Sequence, residues 1–194
     1  RTRWLLHYDA DMLLHQEPGF DWAAAARDAL VDGRPVIAAT PRPSPPMLDA
    51  PDAPSAHERL TLHPHPAGWL NTWFSTRCYL FDVEQLRPLL PLLQGRIYWE
   101  VLAARLRRRG YPRSPEVMLF RRLAAAGRFR LALRDQRAWL LHPVRKDARF
   151  LDVLPRLLAA IHAGDCPAAQ RGRQDLQLDL WGDMLGQSPA TRTS

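Results

Sequence analysis

The chain reads as an α/β domain, a mixed sheet flanked by helices. Three observations lead there. Short apolar runs such as Trp4-Leu5-Leu6, Val36-Ile37-Ala38-Ala39 and Tyr79-Leu80-Phe81 have strand length and end abruptly. Between them lie segments with helical spacing and clear start and stop residues. The 194 residues are 46% hydrophobic and 24% charged, which suits a globular domain with a substantial core.

The elements follow in order. Residues 3–9 form a first, buried strand, which stops at Asp9-Ala10-Asp11. Asp21 caps a helix over Trp22-Ala23-Ala24-Ala25-Ala26, with Gly33 as its stop. Pro35 to Thr40 is a second strand. Residues 41–66 hold many prolines and read as a long loop. Residues 76–81 give a third strand, and Asp82 caps a helix to about Leu93. A further helix spans about Tyr98 to Arg109 and stops at Gly110. Ser114-Pro115-Glu116 opens the next one, which ends at Gly127. Two short strands, 128–133 and 137–141, precede a helix over 148–163 that Gly164 stops. Leu151, Leu154, Leu158 and Ile161 are its expected core stripe. Residues 165–185 read as one weak helix, and the small polar end as a disordered tail. The expected division is therefore a main domain over 1–164 and an extension over 165–194.

Charge and cysteines exclude several classes. The net charge is +7, and all basic residues except Lys146 are arginine. Apart from Arg107-Arg108-Arg109 and Arg121-Arg122 they are scattered, which argues against a nucleic-acid binder. Those two runs read as solvated helix faces, with acidic lipid head groups or phosphate as the other reading. The two cysteines, Cys78 and Cys166, form no C-x-x-C, so a disulfide scaffold or thiolate zinc site is not expected. A reducing cytoplasm fits, and a peripheral membrane contact stays open. No apolar run approaches the roughly 20 residues of a spanning helix.

The chemistry concentrates at Asp9-Ala10-Asp11. Residues two apart on an extended chain point the same way, so two carboxylates converge at the end of a strand. Side by side they repel unless a cation joins them. Oxygen donors suit Mg²⁺ or Mn²⁺, which also take substrate phosphates. His142, with Arg145 and Lys146 close behind, follows a later strand. A neutral imidazole suits Mn²⁺, and cations neutralise a leaving diphosphate.

Leu-Leu-His-Tyr-Asp9-Ala10-Asp11-Met-Leu-Leu resembles the D-x-D signature of GT-A fold glycosyltransferases. The resemblance implies a GT-A-like, Rossmann-like mixed sheet. It makes Asp11 the principal metal ligand, Asp9 a metal or ribose ligand, and His142 a further metal ligand. Lys146 or Arg145 would meet the donor phosphates. Tyr98-Trp99-Glu100 stands where inverting members carry a general base, so Glu100 takes that role, although Trp-Glu departs from the usual acidic pair. Arg96, four residues earlier, is its ordinary ion-pair partner. Trp69, Asn71, Trp73, Arg77 and Trp99 are the candidate acceptor contacts, by stacking on sugar rings or bonding hydroxyls. The proline-rich loop is the candidate lid. The resemblance covers roughly 3–150, so the family's nucleotide-binding strands are expected upstream of Arg1 and the fold to be incomplete at its N-terminus.

The expected activity is transfer of a sugar from a nucleotide-diphospho-sugar donor to a saccharide or lipid-linked acceptor. Inversion is preferred, and no nucleic acid is involved. Two alternatives stay open. A phosphatase of the haloacid dehalogenase type would use Asp9 as its nucleophile. A non-catalytic binding module would keep the fold alone.

Overall fold

The computed structural model describes residues 2–31, 35–54, 63–72, 77–110 and 115–186. Six strands form the larger sheet, in the order β1 (Trp4–Tyr8), β6 (Cys78–Asp82), β3 (Val36–Thr40), β7 (Phe129–Leu133), β5 (Gly68–Asn71) and β4 (His63–His65). Only β3 and β7 run parallel; the other neighbours are antiparallel. A second sheet of three strands joins β2 (Leu13–Gln16), β8 (Ala138–Pro143) and β9 (Asp175–Leu176).

Helices cover both faces of the larger sheet. Helix α1 (Trp22–Leu30) is capped by the Asp21 carboxylate, which accepts from Ala23 and Ala24 N–H. It lays Trp22, Ala26 and Leu30 against Val36, Ala39, Cys78, Leu80, Leu131 and Leu133. On β6 the alternate residues Tyr79 and Phe81 face the other way, and on β3 a register shift between Val36 and Ala38 accompanies the adjacent Ile37 and Ala38 facing that side too. There they meet Leu89, Leu119 and Leu123, the last two on α4 (Pro115–Ala125). Cover on both sides explains why β3 and β6 are buried along their whole length.

Strand β8 joins this core to a second one. Ala138 and Leu140 point into the first core, while Trp139 and Leu141 point into the second. The second core also holds Leu13, Cys166, Leu176, Trp181 and Leu185. Helix α5 (Ala148–His162) supplies Phe150, Val153, Leu157 and Ile161. The buried stripe thus falls beside the expected one: of the expected four, Ile161 is buried, Leu154 and Leu158 are half-buried and Leu151 is exposed.

Several expectations need correction. The helix from Asp82 ends after one turn, α2 (Val83–Leu86), and a 3₁₀ turn follows at Arg87–Leu89. Pro88 and Pro91 cannot continue the hydrogen-bond ladder. Helix α3 runs over Gly95–Leu106, three residues earlier than its expected span. Residues 165–186 are not one weak helix: they form 3₁₀ turns at Ala168–Gln170 and Leu178–Trp181 around β9. Nor is this segment an appendage, because its Cys166, Leu176, Trp181 and Leu185 fill the second core. The start of the proline-rich loop is no lid. Residues 41–45 are buried, and the Arg42 guanidinium donates to the carbonyls of Arg134 and Ala53. Gly33, Ser114, residues 55–62 and the polar tail lie outside the described residues. Among those described, no helix is long and apolar enough to cross a membrane.

Because Trp181 is fully buried, Trp181→Ala is expected to lower stability by about 3–5 kcal/mol. Chemical denaturation followed by circular dichroism checks this. A loss below about 1 kcal/mol would return 165–186 to the status of an extension.

Candidate functional site at the seam of the two sheets

The chain passes from the large sheet to the small one between Tyr8 and Leu13. Asp9 N–H donates to the Arg77 carbonyl at 2.8 Å, extending the β1–β6 ladder by one rung. Met12 N–H then donates back to the Asp9 carbonyl at 3.0 Å, which closes a turn. Asp9 and Asp11 therefore sit at the crossing itself. Across from them, β8 ends at His142-Pro143 and leads into α5, capped by Asp147. Lys146 lies in that connection.

These ends form a charged network. The Lys146 ammonium pairs with the Asp11 carboxylate. His7 Nε2–H donates to Asp9 Oδ1 at 2.7 Å, and the His7 ring stacks on Tyr79 at 4.8 Å. His142 Nδ1 lies 3.2 Å from Asp175 Oδ1. A carboxylate only accepts, so Nδ1 carries the proton and Nε2 of the neutral ring keeps its lone pair. Arg77 reaches the same Asp175 carboxylate at 3.7 Å. A cleft of about 460 Å³ opens beside this network, lined among others by Arg145, Arg149, Asp175, Leu178 and Asp179.

The structure brings together Asp9, Asp11, Arg77, His142 and Lys146, with Arg145 on the adjoining cleft. It does not bring Trp69 or Asn71 there. Both are buried in β5, and β7, β3 and β6 lie between that strand and β1. Trp69 is held between the Arg42 and Arg134 guanidiniums, 5.3 and 5.6 Å from its ring, so it is a core residue. Trp73 lies outside the described residues. Trp99 is exposed on α3, its ring edge-on to Tyr98. Glu100 lies in the second turn of α3, past the N-terminal dipole, and accepts from Arg96 Nε at 2.9 Å. His15 has a structural role: its Nδ1 donates to the Ile161 carbonyl and its ring stacks on Trp139.

Asp175 is the residue that sequence reasoning missed. It lies 33 positions beyond His142 and meets it only because β9 pairs with β8, opposing His142 to Asp175. No local motif announces that pairing.

As metal donors, two carboxylates and an imidazole are of the right kind for Mn²⁺ or Mg²⁺. Yet among the described residues no three His, Cys, Asp or Glu side chains are gathered closely enough to hold an ion. The positive charge on Asp11 comes from Lys146 instead. The two cysteines are no alternative donors, since burial pushes the Cys78 thiol up to about 12 and the Cys166 thiol to about 11.

The hydrogen bond from Lys146 holds the Asp11 carboxyl below its ordinary 3.8, against an opposing push from partial burial. The pair therefore adds stability above the unfolded-state pKa and loses it as pH falls through the folded-state value. Lys146→Ala is expected to move the Asp11 pKa upward, read from its carboxyl carbon in an NMR titration. An unchanged value would mean that the pair does not form in solution.

Comparison of the chain with models of known families, with curated proteins and with solved structures returns no match.

Proposed function

We propose that the protein is a glycosyltransferase of the GT-A type. It would move a sugar from a nucleotide-diphospho-sugar to the hydroxyl of a saccharide or lipid-linked acceptor. One observation carries the reading: Asp9, Asp11, Arg77, His142 and Lys146 meet at the seam of two sheets, beside a cleft lined by Arg145 and Arg149 together with Asp147, Asp175 and Asp179.

A diphosphate needs concentrated positive charge, and Lys146, Arg77 and Arg145 supply it. Asp11, Asp9 and His142 are not gathered closely enough to hold an ion as they stand; drawn together, they would hold Mn²⁺ or Mg²⁺, which would neutralise charge on the leaving diphosphate. The bare Nε2 of His142 suits that role, with Asp175 fixing its tautomer. An incoming phosphate would draw Lys146 from Asp11 and release the carboxylate.

Glu100 is the proposed general base. The acceptor oxygen bonds to the anomeric carbon as the bond to the diphosphate oxygen breaks. The bonding pair leaves with the diphosphate, and the hydroxyl proton passes to Glu100. A single displacement of this kind inverts the anomeric centre. Trp99 offers an exposed aromatic face on the same helix for a sugar ring.

Calorimetric titration tests the reading. The protein, made from its full natural reading frame, is titrated with UDP, GDP and dTDP, with and without Mn²⁺. One nucleotide is expected to bind, and to need the metal. Asp11→Ala is expected to weaken that binding by about 100-fold. Glu100→Gln is expected to keep it and lower transfer by about 10²–10⁴-fold. No binding in any combination by folded protein would overturn the reading. Phospho-aspartate formation at Asp9 would replace it with the phosphatase.

A further inference from the structure

We propose that the helical layer built by residues 83–128 docks on an anionic lipid bilayer. This inference shares Trp99 with the glycosyl-transfer reading but is tested without it.

The first observation is where the charge lies. Residues 83–128 contain ten arginines and only three acidic residues, Glu84, Glu100 and Glu116. Their net charge of +7 equals that of the whole chain, because the other 17 basic and 17 acidic residues cancel. The arginines look scattered along the sequence, but their excess falls in this one segment. Arg87, Arg96, Arg105, Arg107, Arg108, Arg109 and Arg121 are all exposed on it.

The second observation is what lies between them. Thirteen large hydrophobic side chains are exposed among the described residues, and five belong to this segment, which is less than a quarter of the chain. They are Leu90, Leu93, Tyr98, Trp99 and Leu106. Trp99 is 66% exposed and Leu106 76%. On α3, Tyr98, Leu102 and Arg105 fall on one side at helical spacing, beside Trp99 and Leu106.

The inner side of the layer is already occupied. Leu89, Leu119 and Leu123 are buried against the sheet. Hydrogen bonds from Arg122 to the Leu89 carbonyl and from Arg128 to Gln85 tie the layer together. The arginine and apolar side chains named above are exposed rather than packed inward. Near the end of α3, a groove of about 330 Å³ is lined by Val101, Ala104, Arg105, Arg108 and Arg109, with room for a phosphate head group.

A bilayer surface fits both observations together. Basic side chains are drawn to anionic head groups, and Trp and Tyr settle at the level of the head groups. Leu90, Leu93 and Leu106 have no ring to stack on a base, but they can enter the acyl boundary beside arginines that stay at the surface. Nucleic acid would satisfy the charge and leave these leucines in water.

Vesicle flotation of the whole chain tests the proposal. Binding is expected to vesicles of phosphatidylcholine with phosphatidylglycerol, to weaken with salt, and to be absent on phosphatidylcholine alone. Arg107→Glu with Arg109→Glu is expected to cut binding by about tenfold or more. Trp99→Ser with Leu106→Ser, which keeps every charge, is expected to cut it by about tenfold. Arg27→Glu with Arg173→Glu, outside the layer, should leave it unchanged. Circular dichroism of each variant excludes loss of fold, and either pair alone suffices if the other misfolds. Absence of binding to the anionic vesicles overturns the proposal. So does vesicle binding that ignores the serine pair, or a single-stranded oligonucleotide that competes it away with equal strength.

Discussion

The candidate site depends on one constraint: the chain must leave the large sheet at Tyr8 and enter the small one at Leu13. Four residues span that gap, and two backbone hydrogen bonds fix their path, from Asp9 N–H to Arg77 and from Met12 N–H to Asp9. On the β2 side the register is set by burial, and on the exposed β1 side by the β1–β6 ladder that continues through Asp9. Leu6 and Tyr8 pair with Leu80 and Cys78, while Leu13 pairs with Leu141. A slip of one residue on β2 would turn Leu13 out of the second core. With both registers held, Asp9 and Asp11 have nowhere to go but the seam, and the end of β8 brings His142 and Lys146 to meet them.

The charges at that seam are paired and loosely held. Asp9, Asp11 and Asp175 are answered by His7, Lys146, Arg77 and His142. Most of these side chains remain a third or more exposed, so each pair contributes about 0–1 kcal/mol. Weak pairs exchange partners readily. An incoming polyanion can therefore take Lys146 and Arg77 without breaking anything the fold relies on. The Arg3–Asp82 pair behaves differently. Its carboxylate is fully buried, caps α2 and ties the start of β1 to the end of β6. Burial alone would raise the Asp82 pKa, yet hydrogen bonds from Arg3 and Gln85 hold it below the ordinary value.

Much of the fold was legible because single residues carry strong local signals. Asp21 and Asp82 each stand directly before a helix and cap it. The five strands read from apolar runs are all present, although β1, expected to be buried, lies exposed at the sheet edge. Strands β2, β4, β5 and β9 were not legible, because they are two to four residues long and owe their form to a neighbour. Trp69 and Asn71 show the same limit from the other side. An aromatic beside an amide looks like a sugar platform, and only the third dimension puts two arginines over the indole. At the site, Asp9, Asp11, His142 and Lys146 were legible as strand-end chemistry. Asp175 was not, since its partner is chosen by β8–β9 pairing.

The segment that holds Asp175 is organised around one side chain. Gln170 is fully buried, and its amide N–H groups donate to the carbonyls of Arg173 and Asp175. Its Oε1 accepts from Gln177 N–H and from the Trp181 indole N–H. A buried amide with so many partners is costly to rearrange. It brackets the backbone on both sides of Asp175 and anchors it to Trp181, the largest fully buried side chain of the second core. The Asp175 carboxylate, and through it the His142 ring, are thereby referred to a rigid core rather than to a surface loop. The second core thus does more than bury area: it fixes which nitrogen of His142 carries the proton toward Asp175.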